Sequence, residues 1–427
     1  MLKMRGIKRI FCGLIGASII AITVVPVQAQ DKVTYRVIGL YDLTGPYSAL
    51  HQLAVKGIKD FVVWANNEPG YFPQGVQWSH EIYDTGMDMG KAVAAYQMAC
   101  SKKPEPIITT GGLASPTVIA IKPLAKRKKI PCIDGTSARP IMVPPAWTFS
   151  ILGCYEGIAA AAAQFLKDNW REDTPVDRIR ERYKEANGRK PRFTVIGWDN
   201  AFGRAFDLKE TRDYVNKIGV EWVEPEYVSL SASDTTPQIM RLVERGADMI
   251  YFGMYPNTHA AILKDAERVG VRDKFQDMCF WSDDIIQLTK YAGELVNGTL
   301  MLTGWKMVID EWPQVFREMF RKTGLSEDLA LGYSLGIAWF DIYAETIRRA
   351  VKQVGADNVK GPVIYDVLTN MTDYSPLNCN SKISYTETKR FGADTASVYQ
   401  NQNGRIIKVR ESIYVPDLLP GGKDVVN

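Results

Sequence analysis

Two short segments combine glycine, hydroxyl and small residues in a way that suits holding a small polar molecule. Gly111-Gly112-Leu113-Ala114-Ser115-Pro116 follows an apolar β-type run and opens a helix-type one. Glycine there lets the backbone come close to a ligand, Ser115 can cap the helix, and the unpaired N–H groups of Leu113, Ala114 and Ser115 make a ready carboxylate site. An ordinary capped helix fits the same residues. Downstream of the next strand-type run, Gly135-Thr136-Ser137-Ala138 offers two hydroxyls and several backbone donors, although Thr136 and Ser137 also suit a plain turn. Farther along, Tyr255 stands just after a buried-type strand, where a phenol can hydrogen-bond while its ring covers apolar atoms or fills a core. Asp283 and Asp284 in Trp281-Ser282-Asp283-Asp284 supply a carboxylate for a cationic amine, or else a helix cap.

Other chemistries find little support. The sequence contains no G-x-S-x-G, H-E-x-x-H, G-x-x-x-x-G-K-[ST] or G-x-G-x-x-G pattern, so catalysis has no recognisable motif. Its three histidines, His51, His80 and His259, are far apart and no C-x-x-C occurs, which argues against zinc. No cofactor is called for. Of the 52 basic residues four lie in the first 29 positions, leaving 48 against 48 acidic ones. A neutral body argues against nucleic acid or an anionic membrane as partner.

Those first 29 positions read as a cleaved export signal. Lys3, Arg5, Lys8 and Arg9 form a basic start, Ile10 to Val25 an apolar stretch, and Val27-Gln28-Ala29 a small-residue cleavage site, placing the mature protein in the periplasm or otherwise outside the cytoplasm. Cys12 lies inside the apolar stretch and lacks the flanks of a lipidated cysteine. Five cysteines remain, Cys100, Cys132, Cys154, Cys279 and Cys379, enough for one or two disulfides in an oxidising compartment with at least one thiol left over.

The elements that must position these residues follow a βα rhythm. Strand-type runs at Val33–Tyr41, Ile107–Gly111, Ile130–Ile133, Phe193–Trp198 and Met249–Gly253 alternate with helix-type segments at Pro116–Lys126, Tyr155–Trp170, Arg204–Ile218 and His259–Val269. A further helix starts at Thr236-Pro237 and stops at Gly246, while the charged stretch Arg171–Arg192 reads as a surface insertion. The rhythm predicts an α/β fold with largely parallel sheets. About 400 mature residues exceed one core, so two doubly wound lobes are expected, joined by a hinge with a ligand cleft at their strand ends. The expected division is 1–29 signal, 30–154 plus about 308–385 first lobe, and 155–307 plus about 386–427 second lobe.

The order of Ile38-Gly39-Leu40-Tyr41-Asp42-Leu43-Thr44-Gly45-Pro46, Tyr83-Asp84-Thr85, Thr110–Ser115, Asp134–Ala138 and Tyr251–Tyr255 resembles the type I periplasmic binding proteins, in the branch that includes leucine/isoleucine/valine-binding proteins. That resemblance implies a substrate-binding subunit of an ABC importer, a monomer meeting a membrane permease, with no enzymatic activity. It implies as ligand an amino acid, amide or small aliphatic or aromatic carboxylate. By position Ser115 corresponds to the serine holding the ligand carboxylate, Ser137 to a ligand-contacting Thr/Ser, Gly135 to a carbonyl that receives the amine, Tyr255 to a ligand-contacting tyrosine, and Asp283, or Asp284 one place on, to the acid pairing an α-ammonium group. Two departures shift the pocket toward aromatic or apolar character. Phe202 keeps a ring where many relatives have tyrosine, and Leu50 stands where an aromatic lid is common, with Tyr47 and His51 as substitutes. A ligand sensor feeding a receptor would use the same cleft, and an enzyme on this fold is the remaining rival.

Overall fold

The computed structural model describes residues 32–280 and 284–426; the export signal lies outside them, as do Trp281, Ser282 and Asp283. The chain begins β1 (Val33–Tyr41), α1 (Ser48–Asn67), β2 (Val76–Asp84), α2 (Met89–Ser101), β3 (Ile108–Thr110), α3 (Ser115–Lys128), β4 (Cys132–Asp134), the single-turn α4 (Arg139–Met142) and β5 (Thr148–Ser150). Because each strand is followed by a helix that returns the chain to the same end, the strands pair in parallel, in the order β2-β1-β3-β4-β5.

A second sheet follows. Its elements are α5 (Tyr155–Asp168), α6 (Asp177–Glu185), β6 (Arg192–Trp198), α7 (Lys209–Lys217), β7 (Glu221–Trp222), β8 (Glu226–Val228), α8 (Thr236–Glu244), β9 (Met249–Gly253), α9 (Pro256–Arg268), β10 (Gln276–Cys279), α10 (Ile285–Ala292) and β11 (Leu300–Thr303). The chain then returns to the first sheet with α11 (Gln314–Thr323), α12 (Ala330–Val354) and α13 (Gly361–Thr369), and ends on the second with β12 (Thr395–Gln402) and β13 (Arg405–Tyr414). These last two are antiparallel and complete the order β13-β12-β11-β10-β9-β6-β7, with β8 also on β6. Winding is thus parallel apart from one hairpin edge.

The helix α12 is buried along most of its length and lies across α1. Glycine makes that crossing close: a Cβ on Gly57 would sit 2.0 Å from the Tyr333 carbonyl oxygen, and one on Gly336 2.1 Å from that of Ala54. Among the described residues no helix is long and apolar enough to cross a membrane.

Two expected segments differ. The stretch Arg171–Arg192 is no mere surface insertion. It contains α6, whose Ile179 is buried, and its arginines turn inward to carboxylates lost to water at strand ends: Arg178 donates to Asp277 at 3.1 Å and Arg189 to Asp248 at 2.8 Å. The expected helix over Arg204–Ile218 is broken at Asp207, which takes Arg212 and the Tyr227 hydroxyl instead, leaving a 3-10 turn over Gly203–Phe206 that sends Phe206 into the core. All five described cysteines are free, four of them buried; Cys154 caps α5 and donates to the Pro416 carbonyl at 3.4 Å, so packing rather than a disulfide occupies it.

Candidate functional site

Loops at the carboxyl ends of the strands of both sheets converge on one small cavity of about 10 Å³, walled by Tyr47, Leu113, Ser115, Tyr155, Phe202, Tyr255 and Phe280. That is room for about one water, so the walls are nearly in contact and a solute enters only as the two sides part. Of the ten residues expected at the site, Tyr47, Leu113, Ser115, Phe202 and Tyr255 line this cavity, Ala114, Gly135, Thr136 and Ser137 do not, and Asp283 lies outside the described residues.

Tyr47 is presented by a loop that Asp42 organises. The Asp42 carboxylate accepts the Gly45 and Tyr47 N–H groups at 2.6 and 2.8 Å, while the Asp42 N–H donates to His51 Nδ1 at 3.0 Å. Burial pushes the His51 imidazole down to about 3, so it stays neutral and structural. Of the two candidate lid residues, it is Tyr47 that crosses the cleft. Its ring stacks on Trp198 and lies 4.9 Å from that of Tyr255, and its hydroxyl receives a long 3.5 Å contact from Asn200 Nδ2. Burial raises the phenol to about 12, keeping it a neutral donor.

On the first-sheet side, Gly112 and Leu113 both adopt left-handed backbone, with φ of 67° and 63°. A side chain on Gly112 would strike the Leu40 carbonyl oxygen at 2.2 Å, which explains the glycine. For Leu113 the conformation is costly, and such strain concentrates where a site needs a fixed shape. Asp134 holds the turn: it accepts the Thr110 hydroxyl at 2.7 Å and the Gly111 N–H at 2.8 Å. Burial lifts its carboxyl to about 6 despite these bonds.

Ser115 does not cap α3. Ala114 occupies that position without a side-chain bond, Ser115 is the first helical residue and buried, and its hydroxyl makes no hydrogen bond of good geometry, with the Tyr155 phenol as a loose neighbour. A buried polar atom without a partner is costly; here it faces a cavity beside free N–H groups of a first helical turn. Thr136 Oγ1 is likewise buried without a hydrogen bond of good geometry, and its side chain meets the Asp134 carboxyl. The Ser137 hydroxyl, by contrast, pairs with Ser150 Oγ at 2.5 Å, and Gly135 is buried beside it.

On the second-sheet side, Asn200 Oδ1 accepts the N–H groups of Phe202 and Gly203, each at 3.0 Å, and so aims the Phe202 ring. Asp284 caps α10, accepting the Ile286 N–H at 2.9 Å, and Asp283 lies outside the described residues. Two wall residues went unrecognised in the sequence. Phe280 directly follows β10, the same signal that marked Tyr255. Tyr155 opens α5; burial pushes its phenol well up, while the Ser137 backbone and the Ser115 side chain oppose the shift. Nothing in its spacing distinguished it from a core tyrosine. Cys279, His259 and Asp277 form a chain of contacts that could pass for a nucleophile and base, but all three are fully buried in the second unit.

The arrangement, two wound sheets with their strand ends facing a shared cavity, is also found in known proteins. The family model described as periplasmic binding protein matches residues 34–405. Solved structures share the fold at low identity. A branched chain amino acid ABC transporter protein from Thermus thermophilus with bound valine is 19% identical, with a TM-score of 0.76 over 91% of this chain and 98% of that one. A leucine binding protein from Thermotoga maritima is 17% identical, with 0.69 over 89% and 99%. A fatty acid ABC transporter substrate-binding protein from Thermomonospora curvata is 17% identical, with 0.69 over 91% and 95%. No curated protein matches the sequence. With nearly the whole described chain covered by the family model, two wound sheets and a cavity at their facing strand ends, the chain belongs to the periplasmic binding protein family, in its type I form.

Proposed function

We propose that this protein is the extracytoplasmic solute-binding subunit of an ABC importer, and that it closes its two lobes on a small ligand bearing a carboxylate: an amino acid, an amide-type relative, or a small aliphatic or aromatic acid. The observation that carries this is the Ser115 hydroxyl, buried, without a hydrogen bond of good geometry, shared only loosely with the Tyr155 phenol, and set in the first turn of α3 against the interlobe cavity. In this scheme Ser115 and the backbone of Ala114 receive the carboxylate, with Leu113 beside them, Thr136 and Ser137 contact the ligand from the next turn, and the Gly135 carbonyl accepts from its amine. Tyr47, Phe202 and Tyr255 cover the remainder with ring faces. Asp283 is the proposed partner of an ammonium group on the ligand. Closure would remove water from the bound solute, so a molecule that leaves the hydroxyl or an N–H unpaired is rejected by several kcal/mol.

The first test is a thermal-shift screen of the mature chain, from Gln30 onward, against amino acids, amides, and aliphatic and aromatic carboxylates. Ligand at about a hundredfold excess over Kd stabilises by about 2.7 kcal/mol, a clear upward shift. A shift limited to α-amino acids supports Asp283 as the ammonium partner, and a shift with simple carboxylates removes it. No shift with any of these classes contradicts the proposal.

A further inference from the structure

The turn Gly135–Ala138 runs straight into Arg139, the first residue of α4 on the first lobe. The Arg139 guanidinium reaches across to the second. Its Nη1 and Nη2 donate to the two carboxylate oxygens of Glu210 on α7 at 2.9 and 2.8 Å, and its Nε donates to Glu156 on α5 at 2.9 Å. Glu156 is fully buried, whereas the side chains of Arg139 and Glu210 keep 25% and 22% of their exposure. Its chain neighbour Tyr155 is a cavity wall. One planar fork therefore joins the turn after β4 to the helix that supplies the wall residue Tyr155.

A bidentate arginine–carboxylate pair, partly withdrawn from water and anchored by a second buried carboxylate, belongs to the stronger class of ionic contacts. Another ion pair between the lobes differs: Lys290 lies 2.9 Å from Asp328, but its side chain is 59% exposed, and such surface pairs contribute little. Both join residues assigned to different lobes, so separation of the lobes would stretch them. We infer that Arg139 is a positioning residue for closure, whose grip on Glu210 and Glu156 holds the closed arrangement and ties the Gly135–Ala138 turn to Tyr155. Affinity for the captured solute then depends on a side chain outside the cavity wall, because apparent affinity scales with the population of the competent state. This inference rests on the closing-cleft function proposed above.

It is tested without any ligand. Dyes on Val63→Cys in α1 and Leu230→Cys beyond β8, two exposed positions on opposite lobes, report lobe separation by energy transfer in a Cys379→Ser background. Arg139→Gln and Glu210→Gln should each lower the closed-to-open ratio by about tenfold, and the double variant should fall no further, since the partners share one interaction. Reversing the pair, Arg139→Glu with Glu210→Arg, should recover much of the loss. Arg139→Lys, which keeps the charge without the fork, should fall in between, and Lys290→Gln should change the ratio by less than about twofold. Salt should erode the wild-type ratio more than that of Arg139→Gln. Unfolding midpoints identify any variant that fails to fold, in which case the Arg139→Lys and Lys290→Gln comparison decides. If lobes open and close but the Arg139 and Glu210 variants match wild type, or their effects simply add, the latch is wrong. If wild type shows one fixed separation under every condition, the closing-cleft function itself fails and takes the latch with it.

Discussion

Tyr47 and Trp198 stack face to face across the cleft, ring centroids 5.6 Å apart and planes within 9°. One ring comes from the loop after β1 and the other from the end of β6, so the contact is made only when both lobes face each other. Aromatic pairs contribute about 0.5–1.5 kcal/mol beyond their buried area. Tyr47→Ala should therefore weaken solute binding by at least about tenfold. Tyr47→Phe, which keeps the stack and gives up only the long Asn200 contact, should bind within about threefold of wild type. Titration calorimetry with the best ligand from the screen measures both.

Ser115→Ala separates a binding hydroxyl from a structural one. The hydroxyl makes no hydrogen bond of good geometry and only loosely meets the Tyr155 phenol, so the ligand-free protein should lose little stability. Ligand affinity should drop by about 1–3 kcal/mol. Equal affinity in the two proteins would remove Ser115 from the site, and a lower unfolding midpoint without ligand would make it a structural residue.

Asp134 should leave a mark on the pH dependence of folding. Its carboxyl is raised from an ordinary 3.8 to about 6 in the native protein, chiefly by burial. Between those values the native chain binds the proton that the unfolded chain has released, so this group's contribution is fully present below about pH 3.8 and is lost as pH rises through about 6. Across pH 4 to 7 the wild-type denaturant midpoint should fall relative to that of Asp134→Asn, whose profile lacks this titration and is flatter. Parallel profiles would contradict the assignment.

The close crossing of α1 and α12 predicts a sharp size limit. Gly336→Ala puts a methyl group 2.1 Å from a backbone oxygen that cannot move aside without shifting α1. Destabilisation of about 1–3 kcal/mol is expected from such overpacking, read from denaturant unfolding, whereas Gly188→Ala, with open space around it, should suffer only from its positive φ.

Much of this was legible in residue order. The strands Val33–Tyr41 and Met249–Gly253 coincide with β1 and β9, because apolar β-branched runs bounded by turn residues leave few alternatives. The glycine and hydroxyl turns after β3 and β4 sit where a wound sheet puts its ligand. What stayed hidden depends on contacts far apart in the chain. The capping residue of α3 proved to be Ala114, because Ser115 is drawn into the cavity. The inward turn of Arg178 and Arg189 depends on the buried carboxylates Asp277 and Asp248, which no local pattern around the arginines reveals. Tyr155 and Arg139 acquire their places only when two lobes meet, and spacing along one chain carries no sign of that meeting.

The most direct measurement is a crystal structure of the mature protein grown with the ligand selected by thermal shift. A carboxylate oxygen should lie about 2.5–3.0 Å from Ser115 Oγ, with the rest of the molecule between Tyr47, Phe202 and Tyr255 and the Arg139–Glu210 fork intact. A ligand bound elsewhere, or in this cavity with the Ser115 hydroxyl still unpartnered, would contradict the carboxylate trap proposed here.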